Sequence, residues 1–335
     1  MPGEVVSTLR RVDRAAGAES SYLDQLPQLL AALSEQARVE SVTASSAIEG
    51  IVVDEARVPR LLSGRAERFR DRSEAEVAGY TAALDYLHRE DPGELTVGLI
   101  LHLHRLLYSF ADGHGGSFKT SDNLLVDRHD DGTRSVRFEP VGWRETPYFV
   151  DELVARAREA LVLGEHHPLI VSAAFVLDLL CIHPFADGNG RIARLATTYL
   201  LERAGYGVGR YVSVEQLIFD TKDHYYESLE RSTQGWFDDG HHDLWPWALY
   251  LISRLDDAYG RFEARVAAGT GGGTKQDRVR DYVLLSAPAT FAIADIRRAV
   301  PGVSDNTIRL VLTGLKRAGR VVNDGTGRGA TWRRT

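Results

Sequence analysis

The feature that most constrains this chain is a junction between two apolar segments. The stretch LIVSAAFVLDLL, residues 169–180, reads as a helix and runs directly into CIHPFADGNGRIAR, residues 181–194. Within those fourteen positions stand a histidine, an acid, an asparagine, small turn residues and two arginines. A second helical stretch, ARLATTYLLERAG, follows, so the polar groups sit where two helices join, with Arg191 or its neighbour opening the second. There the Gly188-Asn189-Gly190 turn presents backbone N–H groups at a positive helix end, which is an anion site. Glycine lets a phosphate approach bare backbone and tolerates positive φ. Arg191 and Arg194 carry charge complementary to phosphates. Asp187 offers a hard oxygen of the kind Mg²⁺ takes in nucleotide sites. His183 has the one side chain whose ordinary pKa suits a general base near neutrality. Singly, each residue is commonplace, since a histidine after an apolar helix usually packs or caps and Asp-Gly-Asn-Gly is usually a turn. In this order and spacing they read as a site for phosphoryl or nucleotidyl transfer.

Around the junction the pattern is helical. LDQLPQLLAALSEQARVESVTASSAIEG, EAEVAGYTAALDYLHRE, VGLILHLHRLLYSF, PYFVDELVARAREALVL and DLWPWALYLISRLDDAYGRFEARVAA all place apolar residues at helical spacing, and the first ends in a glycine stop. Strand signal appears once in this body: residues 123–126 and 135–138 flank Asp130-Asp131-Gly132 and are expected to pair as a hairpin. Residues 267–274, AAGTGGGT, read as a linker. Beyond it the order is helix, short helix, helix and two strands around GTGRG, with Ser304 as N-cap and Gly319 as stop of the third helix. The expected class is mainly α-helical. Its regions are an N-terminal helical region (1–93), a core (94–266), the linker and a C-terminal domain (275–335) that resembles a winged helix-turn-helix.

Charge separates these parts. Residues 275–335 carry twelve Lys and Arg against five Asp and no Glu, a formal +7, so the remainder carries −14. Only the tail suits a polyanion such as DNA, and Arg309 on the third helix and Arg328 on the wing are the candidate contacts. One cysteine, Cys181, excludes an intramolecular disulfide, and neither a leader-like start nor an apolar run of membrane-spanning length is present, so a cytoplasmic location is expected. The histidines in EHH and GHHD lack partners at zinc spacing, and GTGRG lacks the Lys-Ser/Thr ending of a phosphate loop.

Residues 183–194 match residue for residue the motif His-Pro-Phe-x-(Asp/Glu)-Gly-Asn-Gly-Arg-x-x-Arg of the Fic family, which moves AMP from ATP to a hydroxyl side chain of a target protein. The resemblance implies an adenylyltransferase with the Fic helical fold and a β-hairpin flap. His183 would be the base and Asp187 the Mg²⁺ ligand. Gly188, Asn189 and Gly190 would cradle the α- and β-phosphates, with Asn189 orienting the α-phosphate. Arg191 and Arg194 would hold the outer phosphates, and Phe185 would pack the loop. Upstream, SSAIEG resembles the family's inhibitory helix, in which Glu49, followed by Gly50, would pair with Arg194 while Ser45 bonds Asn189. GSFKTSDNLLV and SVRFEPV fall where the family carries the flap that clamps a target segment as an added strand, with Lys119 where many relatives have arginine. KDHYYESLERS is placed like the segment that contacts the base, making Tyr225 or Tyr226 the candidate.

The expected partners are a target-protein hydroxyl, ATP with Mg²⁺, DNA through the C-terminal domain and a second copy of the chain in a homodimer. Two other readings stand beside transfer of AMP. The same motif serves removal of AMP from a target, with Glu49 positioning water, or transfer of another phosphate-containing moiety. A Fic fold that only senses nucleotide for a DNA-binding regulator is the third reading, and the intact His183 argues against it.

Overall fold

The computed structural model describes the chain except residues 24–25, 55, 64–67, 90–91, 112–114, 129–132, 238–241, 271–273, 289, 301 and 326–329. In chain order the helices α1 (Gly3–Leu23), α2 (Pro27–Ile48), α3 (Val58–Leu62), α4 (Arg72–Arg89) and α5 (Val97–Leu107) precede a hairpin of β1 (Leu125–Arg128) and β2 (Arg134–Phe138). Then come α6 (Thr146–Leu163), α7 (Pro168–Ile182), α8 (Asn189–Arg203), α9 (Val214–Asp220), α10 (Lys222–Thr233) and α11 (Trp245–Thr270). The C-terminal elements are α12 (Lys275–Asp281), β3 (Thr290–Ala292), α13 (Ile293–Ala299), α14 (Asp305–Arg317), β4 (Val321–Asp324) and β5 (Thr331–Arg334). No helix among the described residues is long and apolar enough to cross a membrane.

Two compact units form. The first comprises residues 1–9, 39–206 and 214–254, and the second residues 10–38, 207–213 and 255–335, so the division cuts α1, α2 and α11.

In the first unit α7 packs against α6 on one side and α8 on another. It is buried around most of its circumference, as its composition requires. Pro168 opens it, where a missing N–H costs nothing, and His167 caps it by accepting the Leu169 N–H. Helix α8 also packs on α4 and α5. The crossing of α4 and α5 depends on Gly79, because a Cβ there would lie 1.9 Å from the Leu107 carbonyl oxygen. The hairpin lies two residues further along than expected on its first strand, with Val126 opposite Val136 and Arg128 opposite Arg134. Asn123 is not free to join it: its side chain accepts from Lys119 Nζ at 2.8 Å and donates to the Phe185 carbonyl at 3.2 Å. The expected turn residues Asp130, Asp131 and Gly132 lie outside the described residues.

In the second unit, α12, α13 and α14 share a core of Val279, Val283, Ile296, Ile308, Val311, Leu312 and Leu315, closed by Phe291 and Val321 of the sheet. The sheet is antiparallel in the order β3-β5-β4, and its strand β3 gave no signal in the sequence. Ser304 caps α14 by accepting the Thr307 N–H, and Gly319 follows it at a φ of 67°. Helix α12 is shorter than expected, because residues 282–286 switch to a π-turn. Residues 267–270, the first half of the stretch read as a linker, instead continue α11.

Candidate active site

Helix α7 ends on His183, whose φ of 51° places it in the left-handed region while its N–H still reaches the Leu179 carbonyl. The ring Nδ1 lies 3.2 Å from the Leu180 carbonyl oxygen, so Nδ1 carries the proton and Nε2 keeps the lone pair that a base needs. Burial, opposed by the bond to Leu180 and aided by the charge of Lys119, lowers the imidazole pKa to about 4. At neutral pH it is therefore unprotonated.

The loop after His183 is held from three sides. Asn189 accepts the Phe185 N–H at 2.9 Å and donates to the Phe185 carbonyl at 2.8 Å, closing residues 185–189 into a ring. Phe185 is fully buried and stacks on His104, with centroids 3.8 Å apart. His104 Nδ1 accepts the Gly116 N–H, so its Nε2–H donates to the Asp187 carbonyl at 3.2 Å. From the flap side, the Lys119 N–H bonds the Pro184 carbonyl and its ammonium donates to Asn123 and to the Ile182 carbonyl. Burial brings that ammonium down to about 8, with Asp122 opposing.

Gly188, at a φ of 83°, turns the chain into α8. Its N–H goes to Asp187 Oδ1 at 2.7 Å, whereas those of Asn189, Gly190 and Arg191 occupy the first helical turn and have no intrahelical acceptor. The space above them is taken by a carboxylate. Helix α2 ends at Ile48, Gly50 adopts a φ of 78°, and between them Glu49 reaches over so that a Cβ on Gly190 would lie 2.3 Å from Glu49 Oε1. The same oxygen accepts from Arg194 at 2.8 Å. Arg194 also donates to Ser45 Oγ at 2.8 Å and to the Ser45 carbonyl at 3.0 Å. Burial lowers the guanidinium pKa, but Glu49, Tyr225 and Tyr80 outweigh it and hold the group above its ordinary value.

The expected Glu49–Arg194 pair is thus present, but the expected bond between Ser45 and Asn189 is not. Ser45 serves Arg194, and the amide of Asn189 is used up on Phe185. Arg191 is 2% exposed, paired with Glu76 and bonded to the Tyr108 hydroxyl at 3.0 Å. Of the two tyrosines, Tyr225 belongs to an aromatic core with Trp247 and Tyr250. Tyr226 is half-buried, bonds the Ile48 carbonyl beside Glu49 and has Arg137 and Lys222 over its ring, whereas Tyr225 meets the buried Arg194, so both tyrosines border the site. Arg309 stands exposed on α14 in the second unit, and Arg328 lies outside the described residues. Sequence reasoning missed Arg72, Glu76, His104, Tyr108 and Asn123. The only signal was the four-residue spacing of Arg72 and Glu76, which any surface ion pair shares.

Asp187 suits a divalent cation. Its carboxylate is 58% exposed, each oxygen has one N–H donor and so a further lone pair, and no group of three or more His, Cys, Asp or Glu competes among the described residues. A lone carboxylate completed by waters and substrate phosphates is the donor set Mg²⁺ takes.

Residues 94–201 match the Fic/DOC family. A protein named Protein adenylyltransferase Fic from Nematostella vectensis is 26% identical over 191 residues, covering 55% of this chain and 39% of that protein. One of the same name from Drosophila willistoni is 31% identical over 140 residues, covering 39% and 25%. The chain therefore spans under two fifths of the length of these curated relatives. A Fic family protein from Desulfovibrio desulfuricans superposes with a TM-score of 0.63 at 20% identity, covering 100% of this chain and 97% of that one. Fic-1 from C. elegans gives 0.58 at 22% identity over 78% and 71%. Those likenesses show a shared fold. Residues 94–201, which carry the complete motif, thus match a domain of the Fic/DOC family.

Proposed function

We propose that the chain transfers AMP from ATP to a hydroxyl side chain of a target protein and that Glu49 restrains it. The single observation behind this reading is the Glu49 carboxylate seated on Arg194 above Gly190, an anion occupying the place the motif reserves for phosphate. In the proposed reaction His183 Nε2 takes the proton of the target hydroxyl. The freed oxygen attacks the α-phosphorus, the bond from that phosphorus to the bridging oxygen breaks, and pyrophosphate leaves. The N–H groups at the start of α8 hold the charge that develops, and Arg194, once released, binds the outer phosphate. Mg²⁺ on Asp187 would supply neutralisation of the polyphosphate charge. Incubation with ATP labelled at the α-phosphate and a cell lysate tests the reading: AMP esterified to a protein hydroxyl, located by mass spectrometry, supports it. Release of free AMP from pre-modified proteins without any transfer would replace it by hydrolytic removal of AMP, with water as the attacking group.

The acid limb of the reaction carries the signature of His183. With its pKa lowered to about 4, the imidazole stays in the basic form down to acidic pH. We expect kcat/KM of the Glu49→Gly variant to hold constant from neutrality down to about pH 5 and to fall only below it. A limb at the ordinary histidine value near 6.5 would show that the base is solvated or is another group.

A second activity is favoured by the charge and exposure of the tail. On α14 the side chains of Ile308, Val311, Leu312 and Leu315 are buried, whereas Arg309, Thr313 and Arg317 are exposed. We propose that this helix, in a winged helix-turn-helix arrangement, meets DNA. Binding by the full chain should weaken steeply with salt, and Arg309→Ala should cost about 1–3 kcal/mol. Absence of binding at low salt would exclude DNA as the partner of this face.

A further inference from the structure

The Asp187 carboxylate already has a cation on it, and that cation comes from another helix. Arg72, the first residue of α4, donates to Asp187 Oδ2 at 2.8 Å and through its Nε to Glu76. Glu76 in turn pairs with Arg191, which bonds the Tyr108 hydroxyl and approaches Asp187 Oδ1 to 3.7 Å. The group therefore holds two acids and two arginines and is neutral as it stands. Its members differ in freedom: the side chains of Arg191 and Glu76 are 2% and 5% exposed, whereas Arg72 and Asp187 are 62% and 58% exposed. Arg191 is fixed, and Arg72 can swing out while keeping its second partner, Glu76.

Resting on the assignment of Asp187 as the metal ligand, we propose that Arg72 is a positioning residue that acts as a stand-in cation there. It neutralises the carboxylate until a divalent cation arrives with nucleotide phosphates, and it must leave Oδ2 for that cation to bind. Two like charges cannot share one carboxylate oxygen at contact distance without repulsion. A bare divalent cation therefore meets a barrier. A cation accompanied by polyphosphate brings anionic oxygens that the displaced guanidinium can meet instead. Uptake of metal is in this way tied to uptake of nucleotide.

Mn²⁺ binding to the full chain, followed by loss of the free-ion electron paramagnetic resonance signal, tests this without reference to turnover. In the absence of nucleotide, Arg72→Gln should bind Mn²⁺ about three- to tenfold more tightly than wild type, the range that corresponds to losing one exposed ion pair and its like-charge repulsion. Arg72→Lys, which keeps the charge, should stay near wild type. With a non-hydrolysable ATP analogue present, the advantage of Arg72→Gln should shrink, because the wild-type guanidinium then gains a phosphate partner. Equal Mn²⁺ affinity of Arg72→Gln and wild type, with Asp187→Asn abolishing binding, would overturn the role of Arg72 and leave Asp187 as the ligand. Binding unchanged in Asp187→Asn would overturn the metal assignment and this proposal together.

Discussion

Replacement of Glu49 by glycine is expected to raise AMP transfer by up to about 100-fold. In the structure the Glu49 carboxylate bonds Arg194 at 2.8 Å and fills the space above Gly190, so one side chain covers both the arginine that the proposed reaction uses for the outer phosphate and the surface it uses for the inner ones. If this contact holds the competent state near 1%, a bias of about 2.7 kcal/mol, its removal frees the whole population. Glycine is well suited to the position because it ends α2 without adding a new contact next to Gly50. Arg194→Ala is the control that separates release from mere loosening. It deletes the same pair yet should stay inactive, since the side chain is needed for productive ATP. Initial rates of α-phosphate label transfer decide the matter: wild type as active as Glu49→Gly would mean that the carboxylate leaves unaided when ATP binds.

Replacement of His183 by alanine should reduce transfer by at least about 10²–10⁴-fold while nucleotide affinity changes little. The imidazole points its protonated Nδ1 at Leu180, and in the proposed reaction its remaining nitrogen acts on the target and not on ATP. Calorimetric titration with ATP in the Glu49→Gly background measures the second half of this expectation. Because residue 183 has positive φ, a fold check belongs with it, and His183→Asn provides a variant that tolerates that backbone while lacking an equivalent base. Substantial transfer in both variants would remove His183 from the chemistry.

Local order explains which parts of this site were legible. The loop from His183 to Arg194 is contiguous, and its anion-binding end follows from glycines placed before a helix, so twelve positions were enough to locate it. Glu49 was legible only through a family motif, because a Ser-x-x-x-Glu spacing has no chemistry of its own. What the sequence concealed are partners remote along the chain. Glu76 and Tyr108 lie 115 and 83 positions from Arg191, and the sequence gives no sign that they hold that guanidinium. Asn189 was expected to orient the α-phosphate and to bond Ser45, and the bonds of its amide to the backbone of Phe185 four residues earlier were not foreseen. The hairpin register was misplaced for a related reason, since the side chain of Asn123 is bound to the loop it supports.

With His183 as the proposed base, its left-handed backbone sets stability and activity against each other at a single residue. A side chain with a Cβ costs about 1–2 kcal/mol in that conformation, and glycine would adopt it with little strain. The chain thus keeps its imidazole where the backbone would favour having none. In a population of variants screened for heat resistance alone, substitutions at position 183 should accumulate as stable, inert proteins. A screen that also demands transfer should keep the histidine and gather its stabilising changes elsewhere, for example on the exposed faces of helices remote from the loop.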